Sequence, residues 1–191
     1  MLNIILFGAP GCGKGTQAKR LAEHYGLNHI STGEVIRSEI ARKTELGRSM
    51  EGYISRGELA PDDIVVGMIR DYMESHRGEG SIFDGFPRTT AQAEAFDIML
   101  DRMGLAVDTM IYMDVPEQEL VDRILLRGKD SGRADDASEE VIRNRIDVYR
   151  SQTEVVAEYY SQRGKYAGVN GHGTMDEVFE RLCNVIDAPP R

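Results

Sequence analysis

Leu2-Asn3-Ile4-Ile5-Leu6-Phe7-Gly8-Ala9-Pro10-Gly11-Cys12-Gly13-Lys14-Gly15-Thr16 is the stretch that decides the fold. Its first six residues form an apolar run that reads as a buried strand, and the amphipathic residues 16–25 read as a helix. The turn between them holds four glycines, so the backbone can curl and aim successive N–H groups at phosphate oxygens. The helix N-terminus adds its positive dipole end. This is the P-loop pattern with one departure, because Gly15 stands between Lys14 and the hydroxyl residue Thr16. Lys14 can reach outer phosphates as a mobile charge, and the Thr16 hydroxyl can approach Mg²⁺. Gly11, Cys12, Gly13, Lys14, Gly15 and Thr16 therefore read as a triphosphate cradle, which leaves the acceptor of the phosphate open.

At 191 residues, 41% hydrophobic and 29% charged, the chain can bury one core as a single α/β domain over 1–191. No apolar stretch approaches bilayer length, and the N-terminus enters the first strand without a signal segment. Cys12 and Cys183, the only cysteines, cannot build a disulfide framework or a four-thiolate zinc site. A cytoplasmic protein that engages no membrane is expected. A net charge of −9 argues against nucleic-acid binding. A nucleotide site in such a chain must gather arginines locally.

Further strand-like runs occur at 27–30, 81–84, 109–113 and 165–169, separated mostly by amphipathic segments. Alternating strands and helices predict a parallel, five-stranded sheet covered on both faces, with ligands at the carboxyl ends of its strands. Two stretches interrupt the alternation. Residues 31–60 are helical in pattern, with Ser31 or Thr32 as the cap of the first helix. Residues 128–138 are polar and read as a surface loop, after which a long helix is expected from Ser138 to about Arg163. Both stretches read either as ordinary surface connections or as flaps that close over a substrate.

Phe83-Asp84-Gly85-Phe86-Pro87-Arg88-Thr89 carries the second signal. A carboxylate ending a buried strand beside a P-loop suits Mg²⁺ held through water, so Asp84 is the metal candidate. Gly85 permits close backbone approach, Arg88 can grip a phosphate bidentately, and Gln92 lies one helical turn further on. Arg123 and Arg127 share a helix face, Arg133 lies in the polar loop, and Arg143 and Arg145 sit early on the next helix. The four histidines show neither metal-ligand nor triad spacing.

Taken together, these segments resemble the adenylate kinases of the nucleoside monophosphate kinase family, in the form with a short lid. The resemblance is carried by 8–16, Ser31-Thr32-Gly33-Glu34-Val35-Ile36-Arg37, Gly57-Glu58-Leu59-Ala60-Pro61-Asp62-Asp63, the 84–89 run, Gln92, 122–128 and 131–136, in family order. Gly15 between the lysine and the threonine is this family's form of the loop.

The resemblance implies a three-layer P-loop NTPase fold and Mg²⁺-dependent transfer from ATP to AMP, giving ADP. It implies that 31–60 is the AMP-binding insertion and 128–138 the lid. Thr32 would lie near the AMP base, Arg37 and Arg88 on its phosphate, and Gln92 on its adenine. Glu58, Leu59, Ala60 and Gly85 would line that pocket. Arg123 would pack on the ATP base, Lys14, Arg127, Arg133 and Arg145 would surround the transferring group, and Asp135 and Asp136 would lock the lid. The turn from Val169 to Gly173 would recognise ATP adenine through its backbone.

Long-lid relatives can bind zinc in the lid. No cysteine falls in this lid, so Mg²⁺ with ATP is the expected cofactor and zinc is not expected. The Cys12 side chain reads as a spectator, although a helix N-terminus can lower a thiol pKa. Thr32 and Thr89 follow the adenylate pattern over the UMP/CMP kinases, which are the nearest alternative. A nucleotide-binding switch without phosphotransfer is a second alternative, but the Asn-Lys-x-Asp guanine motif is missing. A monomer is the default expectation.

Overall fold

In the computed structural model the described residues are all but 77, 132, 134, 135, 137 and 189–191, with residue 130 described in its backbone only. Five strands, β1 (Asn3–Phe7), β2 (Asn28–Ser31), β3 (Ser81–Asp84), β4 (Thr109–Asp114) and β5 (Tyr166–Asn170), form one sheet in the order β2-β3-β1-β4-β5. Every pairing is parallel. The predicted strand runs all appear, shifted by a residue at some ends.

All five residues of β1 are buried, as a strand covered on both faces requires. Alternate side chains go to opposite layers. Ile4 and Leu6 join Ile82, Ile111 and Val169 under α1 (Lys14–Tyr25) and α9 (Met175–Ile186). Ile5 and Phe7 join Phe83 and Met110 under α4 (Asp62–Ser75), α5 (Thr90–Arg102) and α8 (Val155–Ser161). The α1 helix earns its place by burying Gln17, Ala18, Leu21 and Ala22, one stripe at helical spacing, and Gly26 ends it at φ 64°.

Between β2 and β3 the chain forms α2 (Thr32–Ala41) and α3 (Glu45–Ser55) before α4. Ser31 is the residue that caps α2, accepting from Glu34 N at 3.3 Å.

Two boundaries differ from the sequence expectation. Helix α6 (Glu117–Ser131) runs past Gly128, so the first part of the expected 128–138 loop is helical. Gly128 has room only for its hydrogen there, because a Cβ would come within 2.6 Å of the Asp136 carbonyl oxygen. Asp136 can thus pack tightly against a polar helix end that no hydrophobic pattern announces. The long helix expected after Ser138 is instead α7 (Glu139–Val148), a π turn over Tyr149–Thr153, and α8. Ile142 and Ile146 of α7 pack on Val121 and Ile124 of α6, whereas Val156 and Tyr160 of α8 enter the main core. A wider turn re-registers the helix so that both stripes are buried, and it turns Tyr149 and Thr153 inward.

Candidate active site

The glycine-rich loop follows β1, with Gly13 as the N-cap of α1 at φ 96°, a left-handed conformation that glycine adopts without strain. Lys14 Nζ curls back over the loop, donating to the carbonyls of Gly8 (2.7 Å) and Ala9 (3.0 Å) and lying 3.6 Å from Cys12 Sγ. Those carbonyls are neutral acceptors, which an anionic phosphate outcompetes for an ammonium. Cys12 is 1% exposed, and Thr16 is exposed on the first turn of α1. Gly15 stands beside Asp84, since a Cβ on it would lie 3.4 Å from Asp84 Oδ2.

Asp84 ends β3, opposite Leu6 of β1 and Ser31 of β2. It is buried. His29 Nε2 stops 3.6 Å from its Oδ2, just beyond hydrogen-bonding reach. Burial pushes the Asp84 carboxyl up, but His29 beside it and the charges of Lys14 and Arg88 outweigh this and hold it below the ordinary carboxylate range. One ionised carboxylate next to a phosphate loop suits Mg²⁺, which keeps most of its waters and takes phosphate oxygens. Among the described residues no three His, Cys, Asp or Glu side chains gather as a metal-ligand group.

Beyond Asp84 the chain turns through Gly85, at φ 77°, and a cis peptide before Pro87. The Gly85 carbonyl accepts from Thr32 Oγ1 at 2.9 Å and from Arg88 Nε at 2.7 Å, joining β2's end to β3's. Thr89 caps α5 by accepting from Gln92 N at 3.1 Å. The Gln92 side chain accepts from Arg88 N at 2.8 Å and donates to Asp62 Oδ1 at 2.7 Å. Arg37 folds over the first turn of α2, where a Cβ on Gly33 would meet its Nη1 at 2.9 Å. Glu58 lies in a two-pronged pair with Arg56, and Leu59 and Ala60 face the same space.

Asp136 organises the arginines. Its side chain is fully buried and accepts from Arg127 Nε (2.7 Å) and Nη2 (2.9 Å) and from Arg145 Nη1 (2.6 Å), with Arg133 Nε at 3.7 Å. Burial alone would raise its carboxyl, but Arg127 first, then the charges of Arg133 and Arg145, hold it low. Asp135 lies outside the described residues. Arg143 points away, exposed and paired with Glu139.

Above the loop, Arg123 Nη1 donates to the Cys12 carbonyl at 3.3 Å, and its Nη2 reaches Glu119 and the Gly171 carbonyl (3.5 Å). Glu119 Oε2 also meets His172 Nδ1 at 2.7 Å, while Arg181 Nη1 holds the Asn170 and His172 carbonyls. Arg123 and the turn through Gly171 and Gly173 are thereby brought together.

One cleft is lined by Gly8 and Lys14 of the loop and by Thr32, Arg37, Leu59, Ala60, Gly85, Arg88, Gln92, Arg133 and Arg145. Arg123, Arg127 and Gly173 do not border it. Sequence reasoning missed Asp62, Glu119, His29, Tyr149 and Thr153. Asp62 stood inside the quoted 57–63 segment, and the turn at Tyr149 carries no motif.

A parallel sheet with a glycine-rich loop after its central strand and a lysine at the start of α1 defines a P-loop NTPase-type fold. The family model for adenylate kinase matches residues 6–165. An adenylate kinase of Bacteroides fragilis is 52% identical over 188 residues, covering 98% of this chain and 99% of that protein. That of Bacteroides thetaiotaomicron is 51% identical with the same coverage. The Porphyromonas gingivalis enzyme is 46% identical, covering 98% of this chain and 96% of its own length. The chain belongs to the adenylate kinase family and is an ATP:AMP phosphotransferase.

Proposed function

We propose that the chain transfers a phosphoryl group reversibly from Mg·ATP to AMP, with the donor on the glycine-rich loop and the acceptor in the pocket between α2 and α5. The carrying observation is that Lys14 and the acceptor-side residues Arg37, Arg88 and Gln92 open onto one cleft, which Arg133 and Arg145 also line.

The acceptor is already a phosphate anion, so no general base is needed; placement and charge neutralisation carry the rate. The backbone N–H groups of 11–16 and Lys14 cradle the donor phosphates. Arg37 and Arg88 hold the acceptor phosphate, while Arg127, Arg133 and Arg145 neutralise charge on the transferring group. Thr32, Gln92, Gly85 and the 58–60 backbone receive the acceptor adenine. Arg123 and the turn ending at Gly173 take the donor adenine. Bound Mg²⁺, held by Asp84 through water and approached by Thr16, would screen the donor phosphates. Residues 31–60 and 128–138 act as flaps that exclude water.

We further propose a cytoplasmic monomer that works in adenine nucleotide balance, with ATP, AMP and ADP as its partners and without membrane or nucleic-acid engagement. The acidic composition supports this, and no described helix is long and apolar enough to cross a membrane. The test is a coupled assay with Mg·ATP and a panel of monophosphates, reading ADP. Transfer to AMP at least about a hundredfold better than to UMP or CMP is expected. Preference for a pyrimidine nucleotide would reassign the acceptor, and ATP binding without any transfer would overturn the proposal.

A further inference from the structure

Gln92 sits on the first turn of α5 with its amide held at both ends. Nε2 donates to Asp62 Oδ1 at 2.7 Å, and Oε1 accepts from the backbone N–H of Arg88 at 2.8 Å. The Thr89 hydroxyl donates to the second Asp62 oxygen at 3.1 Å while its own oxygen accepts from Gln92 N. A carboxylate offers only acceptors, and a backbone N–H offers only a donor. Turning the amide over would set oxygen against carboxylate and NH₂ against N–H. Gln92 is 1% exposed, so water could not relieve either conflict. One orientation is therefore enforced, and Asp62 enforces half of it from another helix.

We infer that Asp62 is a positioning residue which sets the base selectivity of the acceptor pocket by fixing how Gln92 presents its amide. The inference rests on the reading of Gln92 as the group that faces the acceptor base. In the fixed orientation Nε2 keeps one N–H and Oε1 keeps one lone pair, and the residue borders the cleft. That pair complements a purine edge with a ring acceptor beside an exocyclic amine, as in adenine. It opposes the edge of a 6-oxopurine, where a ring N–H lies beside a carbonyl. A nucleotide with that edge must leave buried donors and acceptors unmatched, and such mismatches discriminate more strongly than shape alone.

IMP is the cleanest probe, because it matches AMP in size and reverses only this edge. We would measure kcat/KM for AMP and for IMP, with Mg·ATP as donor, in the wild type and in Asp62→Ala, Asp62→Ser, Asp62→Asn and Gln92→Leu. The AMP:IMP ratio is expected to fall about tenfold or more in Asp62→Ala. Asp62→Asn, whose carbonyl can still accept from Nε2, should restore most of it. Asp62 also opens α4, where its charge favours the helix N-terminus, so a purely structural role would slow both substrates in parallel. A ratio within about twofold of wild type in Asp62→Ala overturns the inference. If that variant fails to fold, Asp62→Ser decides in the same way, since serine suits a first helical turn but cannot span to Gln92. Gln92→Leu separates the two levels of the reading. If its ratio collapses while that of Asp62→Ala stands, only the role of Asp62 fails; if its ratio also stands, Gln92 does not face the base.

Discussion

Asp136 grips Arg127 with both carboxylate oxygens, at 2.7 and 2.9 Å, from a position where its own side chain is fully buried. The same carboxylate takes Arg145 at 2.6 Å. Arginines collected this tightly would repel one another without the acid. Asp136→Ala removes a buried carboxylate shared by partly exposed arginines and should cost about 1–3 kcal/mol of stability. It should also lower kcat more than it raises either KM, because the arginines lose their common anchor. Urea unfolding and steady-state kinetics check both; unchanged kcat in a folded variant would separate the cluster from transfer.

Arg88 is anchored on the Gly85 carbonyl with its guanidinium facing the cleft. Arg88→Ala removes a charged phosphate partner and should lower kcat/KM for AMP about 10²–10³-fold, with ATP binding little changed. A loss under about threefold would remove it from the acceptor site.

Gly85→Ala tests the backbone beneath that site. The residue sits at φ 77°, and a Cβ there would lie 2.8 Å from Arg88 Nη2 and 3.3 Å from Thr32 Oγ1. We expect about 1–3 kcal/mol of lost stability from the left-handed conformation and a raised KM for AMP, with KM for ATP unaffected. A parallel rise in both constants would point to general loosening instead.

The acid side of the stability profile should carry the marks of Asp84 and Asp136. Both hold their carboxyls below the ordinary range when folded. The unfolded chain then binds more protons, so stability rises with pH through this region. The contribution is complete above the ordinary aspartate value of about 3.9 and is lost as pH falls through the lower folded values. Urea midpoints should change little from these two groups between about pH 7 and pH 5 and drop below about pH 4. Asp136→Asn, weaker at neutral pH, should lose less on acidification; an unchanged acid slope would remove Asp136 from the account.

The sheet was legible because each strand is a short apolar run bounded by turn residues, and the loop after Phe7 fixed where the chain reverses. The end of α6 and the π turn at Tyr149 were not legible. Their shapes answer to packing against Asp136 and against two separate cores, which no local period encodes. The site divides in the same way. Arg88 and Gln92 stand in one compact motif, whereas Asp62 meets Gln92 across 30 residues and Glu119 meets His172 across 53. Pairs of that kind become visible only when the fold brings two elements together.

The register of the sheet has a consequence for tolerance to change. Leu6 and Ser31 both lie level with Asp84, so the glycine-rich loop, the Asp84 turn and the start of α2 hang from three adjacent strand ends. Neighbouring strands keep a spacing of about 4.8 Å that side chains barely alter. The sheet thus serves as a ruler between the two halves of the cleft. Insertions or deletions between these strands would therefore leave the distance across the floor of the cleft fixed by backbone hydrogen bonds.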